Sequence, residues 1–108
     1  MASELIHLRA DRRYERELPI EFSCEGQTWA ARTRNLSLGG VFIETDVKLP
    51  YSARLRLRLR LPTLPEPIEV GGHVRWCESS DELHGIGVRF DGLRARDVWA
   101  LNRFFNLR

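Results

Sequence analysis

Arg12, Arg13 and Arg16 stand within five positions of one another, separated by Tyr14 and Glu15. An arginine ends in a planar fork of N–H donors. That fork meets a phosphate, or the O6/N7 edge of a guanine, with two bonds at once, which a lysine ammonium cannot copy. Further along, Asn35-Leu36-Ser37-Leu38-Gly39-Gly40 brings together a donating and accepting amide, a hydroxyl and two adjacent glycines. Asn35 suits a guanine edge and Ser37 a phosphate or a base. Gly39 and Gly40 allow positive φ, and Gly40 allows close approach of a backbone where a side chain would clash. Taken alone, each element is weak. The first reads equally as a solvated basic tail, and Arg9 to Arg13 offers a second Arg-x-x-x-Arg frame. The second reads as a plain turn between strands.

Other chemistry is thinner. His7, His73 and His84 lack the spacing of a zinc site, and no nucleophile stands near a base, so the chain reads as a non-enzyme with no cofactor. Cys24 and Cys77 are too few and too far apart for a disulfide framework and read as reduced, part-buried thiols. Trp76 is a candidate stacking surface for a base, against the plainer reading of a core or rim tryptophan; Trp29 and Trp99 read as core. Every basic residue but Lys48 is an arginine, which a GC-rich genome would also produce. The net charge of +2 is too small to argue for general nucleic-acid binding.

These residues need elements to hold them. A chain of 108 residues, 43% hydrophobic and 30% charged, is long enough for one modest core and too apolar for wholesale disorder. No apolar run approaches the ~20 residues that span a bilayer, so no membrane insertion is expected. The N-terminus, carrying Glu4, His7 and Arg9, has no secretory h-region. The protein therefore reads as cytoplasmic.

Residues 1–15 read as a flexible N-terminal segment carrying the arginines, and 16–108 as a single domain. Alternation predicts strands over Leu18–Phe22, Thr28–Leu36, Val41–Glu44, Arg54–Leu61, Ile68–Cys77 and Leu83–Phe90, with Glu25-Gly26-Gln27 as a hairpin connection. Residues 54–61 alternate Arg with Leu throughout, giving one leucine face and one arginine face. The arginine face, Arg54, Arg56, Arg58 and Arg60, reads as solvated sheet surface paired with acids such as Glu44 and Glu69. Its sharper reading is a docking surface for an acidic partner or polyanion. Gly71-Gly72 suggests a bulge or sharp bend. Leu93, Val98, Leu101, Phe104, Phe105 and Leu107 change the period to helical, so a helix over 94–106 is expected, with Asp97 facing water. The sum is a six-stranded antiparallel β-barrel with a C-terminal α-helix.

At Arg12-x-x-x-Arg16 and Asn35-x-Ser37-x-x-Gly40 the chain resembles the PilZ domain family. The family carries Arg-x-x-x-Arg before its first strand and Asp/Asn-x-Ser-x-x-Gly between its second and third. The likeness continues through Val74-Arg75-Trp76 and Gly85-Ile86-Gly87-Val88-Arg89-Phe90. It implies a PilZ-like barrel that binds cyclic di-GMP, with Arg12 and Arg16 leading, Arg13 in support, and Asn35, Ser37, Gly39, Gly40 and Trp76 completing the site. Asn35 stands where the family more often has an acid: it removes a negative charge beside an anionic ligand and gives up a carboxylate acceptor for guanine. The implied role is a bacterial second-messenger receptor acting on an unidentified effector protein in motility, polysaccharide or developmental regulation, possible also as a homodimer. The alternatives are a PilZ-like protein-interaction adaptor that binds no nucleotide, and a barrel binding single-stranded nucleic acid through Arg54–Arg60. The last is disfavoured because that face lacks interleaved aromatics.

Overall fold

A computed structural model of the chain describes residues 12–107. Arg9 with its alternative frame, His7 and the rest of residues 1–11 lie outside the described residues, as does Arg108. The strands are β1 (Pro19–Cys24), β2 (Gln27–Leu36), β3 (Gly40–Glu44), β4 (Arg54–Leu59), β5 (Ile68–Ser79) and β6 (His84–Phe90), followed by helix α1 (Ala95–Phe105). They form a closed barrel in the order β1-β2-β3-β6-β5-β4, and β4 closes back onto β1. Every pairing is antiparallel.

The period-two pattern explains the closure. Leu55, Leu57 and Leu59 of β4 point inward at 1–3% exposure, while the arginines between them are exposed. Ile20 and Phe22, Val41 and Ile43, Val70 and Val74, and Ile86 and Val88 supply the rest of the lining. Ala100, Leu101, Phe104 and Phe105 bring α1 into the same cluster. The β1–β2 hairpin turns on Glu25 (φ 48°) and Gly26 (φ 84°), the mirror-image geometry that matches strand twist.

Several expectations are corrected. Gly71 and Gly72 are not a bulge: they pair in register with Arg56 and Leu55. Gly72 is there for space, since a Cβ would lie 2.7 Å from Val88 Cγ1 and 2.9 Å from the Arg89 carbonyl oxygen. Neither Gly39 nor Gly40 has positive φ. At Gly40 the constraint is again space, because a Cβ would run into the Val88 carbonyl oxygen. Asp97 does not face water. It is buried at 4%, and Arg94 covers it with Nε 3.0 Å from Oδ2. Trp99 is not core but 60% exposed, and Cys77 is exposed while Cys24 is half-buried. Glu44 pairs with Arg34 at 3.0 Å, not with the β4 row. Arg58 of that row is flanked by Glu21 (3.7 Å) and Glu69 (3.5 Å), its register neighbours on both sides.

Two true irregularities matter more. β2 carries an extra residue between Thr33 and Asn35, and β5 one between Val74 and Trp76. A bulge inserts one unpaired residue and so reverses which face the following side chains take. In β2, Thr33 and Leu36 are both fully buried although three positions apart. Only the extra Arg34 makes that possible, and it leaves Asn35 on the outer face. In β5, Val74 faces in opposite Val88, and the extra Arg75 turns Trp76 outward opposite Gly87.

Candidate functional site

Register then sets one row across four strands. Asn35 of β2 pairs with Phe42 of β3, Phe42 with Gly87 of β6, and Gly87 with Trp76 of β5. Directly paired residues share a face, so all four lie on the barrel's outside. A Cβ on Gly87 would collide with three atoms of the Trp76 indole at nearly equal distance, so the ring lies face-down on that glycine. Phe42 fills the space beside it, with ring centroids 6.0 Å apart. Phe42 is 3% exposed yet stands outside the interior cluster, because Trp76 covers it from the solvent side. Trp76 itself keeps 44% of its surface exposed.

The arginine segment reaches this row through backbone anchors. Tyr14 N–H donates to the Leu36 carbonyl (2.8 Å) and Leu36 N–H to the Tyr14 carbonyl (3.0 Å). Buried Thr33 holds the next residues: its hydroxyl donates to the Arg16 carbonyl and accepts from Leu18 N–H at 2.9 Å. Extended backbone then puts residues 12, 14 and 16 on one side and 13 on the other. Arg13 Nε donates to Asn35 Oδ1 at 2.5 Å. The guanidinium groups of Arg12 and Arg16 lie over the Tyr14 ring, 5.3 and 5.9 Å from its centroid. The opposite face of Tyr14 chemistry is taken up by α1: its ring stacks on Phe105 at 4.0 Å and 9°.

The turn between β2 and β3 closes the site's other side. Ser37 is fully buried, and its hydroxyl accepts from Gly39 N–H (3.0 Å) and Gly40 N–H (3.2 Å). Ser37 N–H donates to the Gly40 carbonyl at 2.8 Å. The hydroxyl thus shapes the turn from beneath. Gly39 carbonyl accepts from Phe90 N–H at 2.8 Å, tying the turn to β6.

Between these parts lies an open groove of about 310 Å³ lined by Arg13, Gly39, Gly40, Arg75, Trp76, Val88 and Arg89. Arg13, Gly39, Gly40 and Trp76 are therefore brought together. Asn35 joins them through Arg13, Ser37 sits under the turn, and Arg12 and Arg16 rest on Tyr14 beside the groove. Arg75 and Arg89 are additional: sequence reasoning assigned them no role. Neither has an ion-pair partner among the described residues. A signal existed in their places, one adjoining Trp76 and the other on the outward phase of β6. Cationic walls around an exposed indole suit an anionic ligand with a flat ring. No group of His, Cys, Asp and Glu among the described residues could hold a metal ion.

The comparisons with known proteins agree on this architecture. The family model described as the PilZ domain matches residues 7–107. Among solved structures, the Bacillus subtilis inhibitor of motility MotI/DgrA superposes with a TM-score of 0.76 at 22% identity, covering 89% of this chain and 48% of that one. The PilZ domain of CeSA from a cellulose-synthesizing bacterium gives 0.64 at 14%, covering 87% and 94%. Borreliella burgdorferi PlzA in complex with c-di-GMP gives 0.60 at 15%, covering 92% and 36%. The chain thus spans about half of MotI/DgrA. No curated protein sequence matches it.

Proposed function

The chain belongs to the PilZ domain family, and on that premise we propose that it is a cyclic di-GMP receptor domain whose ligand lies in the groove between Arg13 and Trp76. The observation that carries this reading is the pair of bulges. They turn Asn35 and Trp76 to one outer face, where a stacking surface and a cluster of arginines adjoin.

In this reading a guanine stacks on the free face of Trp76, a contact worth about 1–3 kcal/mol per base. Arg13 and Asn35 meet a base edge, while Gly39 and Gly40 leave room for the ligand to approach. Ser37 contributes by holding the turn. Arg12 and Arg16 swing from Tyr14 to the phosphates or to guanine O6 and N7. Leaving an exposed ring costs each of them about 0.5–1 kcal/mol, whereas a bidentate guanine contact returns about 1–3 kcal/mol. The exchange is downhill once ligand is present. Transfer of Arg12 and Arg16 from Tyr14 to the ligand then changes the surface shown to an effector protein. The domain acts in the cytoplasm as a binding module and not as an enzyme. PlzA is a fold relative whose structure holds c-di-GMP, and MotI/DgrA, an inhibitor of motility, makes motility one pathway to test.

Calorimetry with cyclic di-GMP on wild type, Arg16→Ala and Trp76→Ala decides the matter. Wild type is expected to bind at micromolar Kd or tighter, with each variant weaker by roughly tenfold or more. No binding by wild type would remove the ligand and leave the protein-interaction adaptor as the reading. Unchanged affinity in both variants would move the site elsewhere.

A further inference from the structure

α1 buries Asp97, Ala100, Leu101, Phe104 and Phe105 and turns another stripe to solvent. Arg96, Trp99 and Arg103 lie on that stripe, at helical spacings of three and four. Trp99 is 60% exposed, second among the large apolar side chains of the described residues after Tyr51. Arg103 stacks over its ring at 5.4 Å. Beside it, the proline-rich β4–β5 connection and α1 enclose a groove of about 260 Å³, with Leu64, Pro65, Pro67, Trp99 and Ala100 in its lining. Four charged side chains, Glu66, Arg94, Arg96 and Asp97, border the groove. Arg94 and Asp97 neutralise each other, which leaves Glu66 on the loop side. Arg96 has no ion-pair partner among the described residues.

Tryptophan and arginine are the residues most over-represented where interfaces carry their binding energy. The charge pattern decides what covers this one. Packing two copies of α1 about Trp99 sets Arg96 against the other copy's Arg103 when antiparallel, and Arg96 against Arg96 when parallel. Like charges meet in both arrangements, which disfavours a second copy. An acidic segment with an apolar anchor meets no such conflict.

We infer that the α1–proline-loop groove docks an acidic amphipathic helix of the effector protein, its apolar anchor packed on Trp99 and carboxylates on Arg96 and Arg103. The two arginines are seven residues apart, roughly 10 Å along the axis at ~1.5 Å per residue. A partner helix therefore presents Glu or Asp at positions i and i+7 around a central Phe or Leu, an instance of helix-in-groove recognition. Glu66 keeps the partner's acids on the helix side of the groove. This inference rests on the part of the proposed function that gives the domain a protein effector, and it is independent of nucleotide binding.

The test titrates the ¹⁵N-labelled full chain, without cyclic di-GMP, with a synthetic helical peptide bearing Glu at i and i+7 around Phe, and with its Lys counterpart. The Glu peptide should shift resonances of the α1 outer face and residues 64–68, with Kd on the order of 100 μM for so small a patch. Trp99→Ala should weaken it roughly tenfold or more. Arg96→Glu/Arg103→Glu should lose the Glu peptide and gain the Lys peptide, a reversal that no unfolding mimics. No shifts at about 1 mM peptide, equal binding of both peptides, or shifts centred on the Arg13–Trp76 groove or the β4 arginine row would overturn it. So would wild-type self-association in sedimentation that Trp99→Ala removes, which assigns the face to a second copy. Calorimetry with cyclic di-GMP reports separately on the nucleotide reading, so the two can fail independently.

Discussion

At position 87 a single hydrogen atom is what lets the Trp76 indole lie flat against the sheet. Any Cβ there meets the ring, and the neighbouring atoms are ring carbons that cannot bend aside. Phe42 closes one side, so the displaced ring has to lift off the strand and into the groove. We expect Gly87→Ala to keep the barrel, because Gly87 sits on the outer face and its backbone pairing is untouched. Cyclic di-GMP affinity should fall by most of the stacking contribution of about 1–3 kcal/mol, roughly 5- to 150-fold in Kd. Calorimetry and circular dichroism on the same sample separate the two effects. Wild-type affinity in Gly87→Ala would take Trp76 out of the binding surface. Ser37 works at the same scale in the opposite sense: it is buried, and what it supplies is a turn whose glycines face the groove.

Between residues and the barrel stand two inserted positions, Arg34 and Arg75, that set which side their neighbours face. Deleting Arg75 removes the extra residue yet leaves each neighbour its face: Trp76, now next to inward Val74, still falls outward opposite Gly87, and Cys77 opposite Ile86. Substituting it leaves the phase intact. Arg75→Ala is therefore expected to hold the wild-type melting temperature within a few degrees, as exposed positions do, and the Arg75 deletion to keep cooperative folding with Trp76 still outward. Thermal melts with near-ultraviolet dichroism and fluorescence quenching follow the indole, and a deletion variant that buries Trp76 would mean that Arg75 is not the residue the ladder leaves out. The same feature explains what could be read from the chain beforehand. Residues 54–59 declare their strand and both faces, because an unbroken alternation admits one solution. The six strands and the helix follow likewise from period, and the β2–β3 turn from its own residue types. Trp76 and Asn35 come together in the sequence only through the family resemblance, since nothing in a period-two pattern marks where one extra residue will be absorbed. In α1 the misreadings came from weighing residue type over phase. Asp97 is four positions from Leu93 and from Leu101, hence on the buried face, and Arg94 folds over it. Trp99 falls between, on the open side, despite being aromatic.

The barrel joins what the chain separates. Residues 12–16, the 35–40 turn, Trp76 and Gly87 form one site only after β2, β3, β6 and β5 have paired in order, so the unfolded chain has no equivalent surface to offer a ligand. Binding restricted to the folded state raises stability by RT ln(1 + [L]/Kd), about 2.7 kcal/mol when ligand stands at 100 times Kd. A domain of this size gains roughly 4–6 °C per kcal/mol, so saturating cyclic di-GMP should raise the melting temperature by about 10–15 °C. Arg16→Ala and Trp76→Ala should lose most of that increment at the same ligand concentration, because it scales with the logarithm of a Kd they raise. Trp99→Ala should retain it, since its side chain points away from both the core and the Arg13–Trp76 groove. GTP at equal concentration, which lacks the second guanine and the closed phosphodiester ring, should give a much smaller shift. A wild-type melt that cyclic di-GMP leaves unmoved would mean that this assembled face, cationic and aromatic as it is, serves something other than that nucleotide.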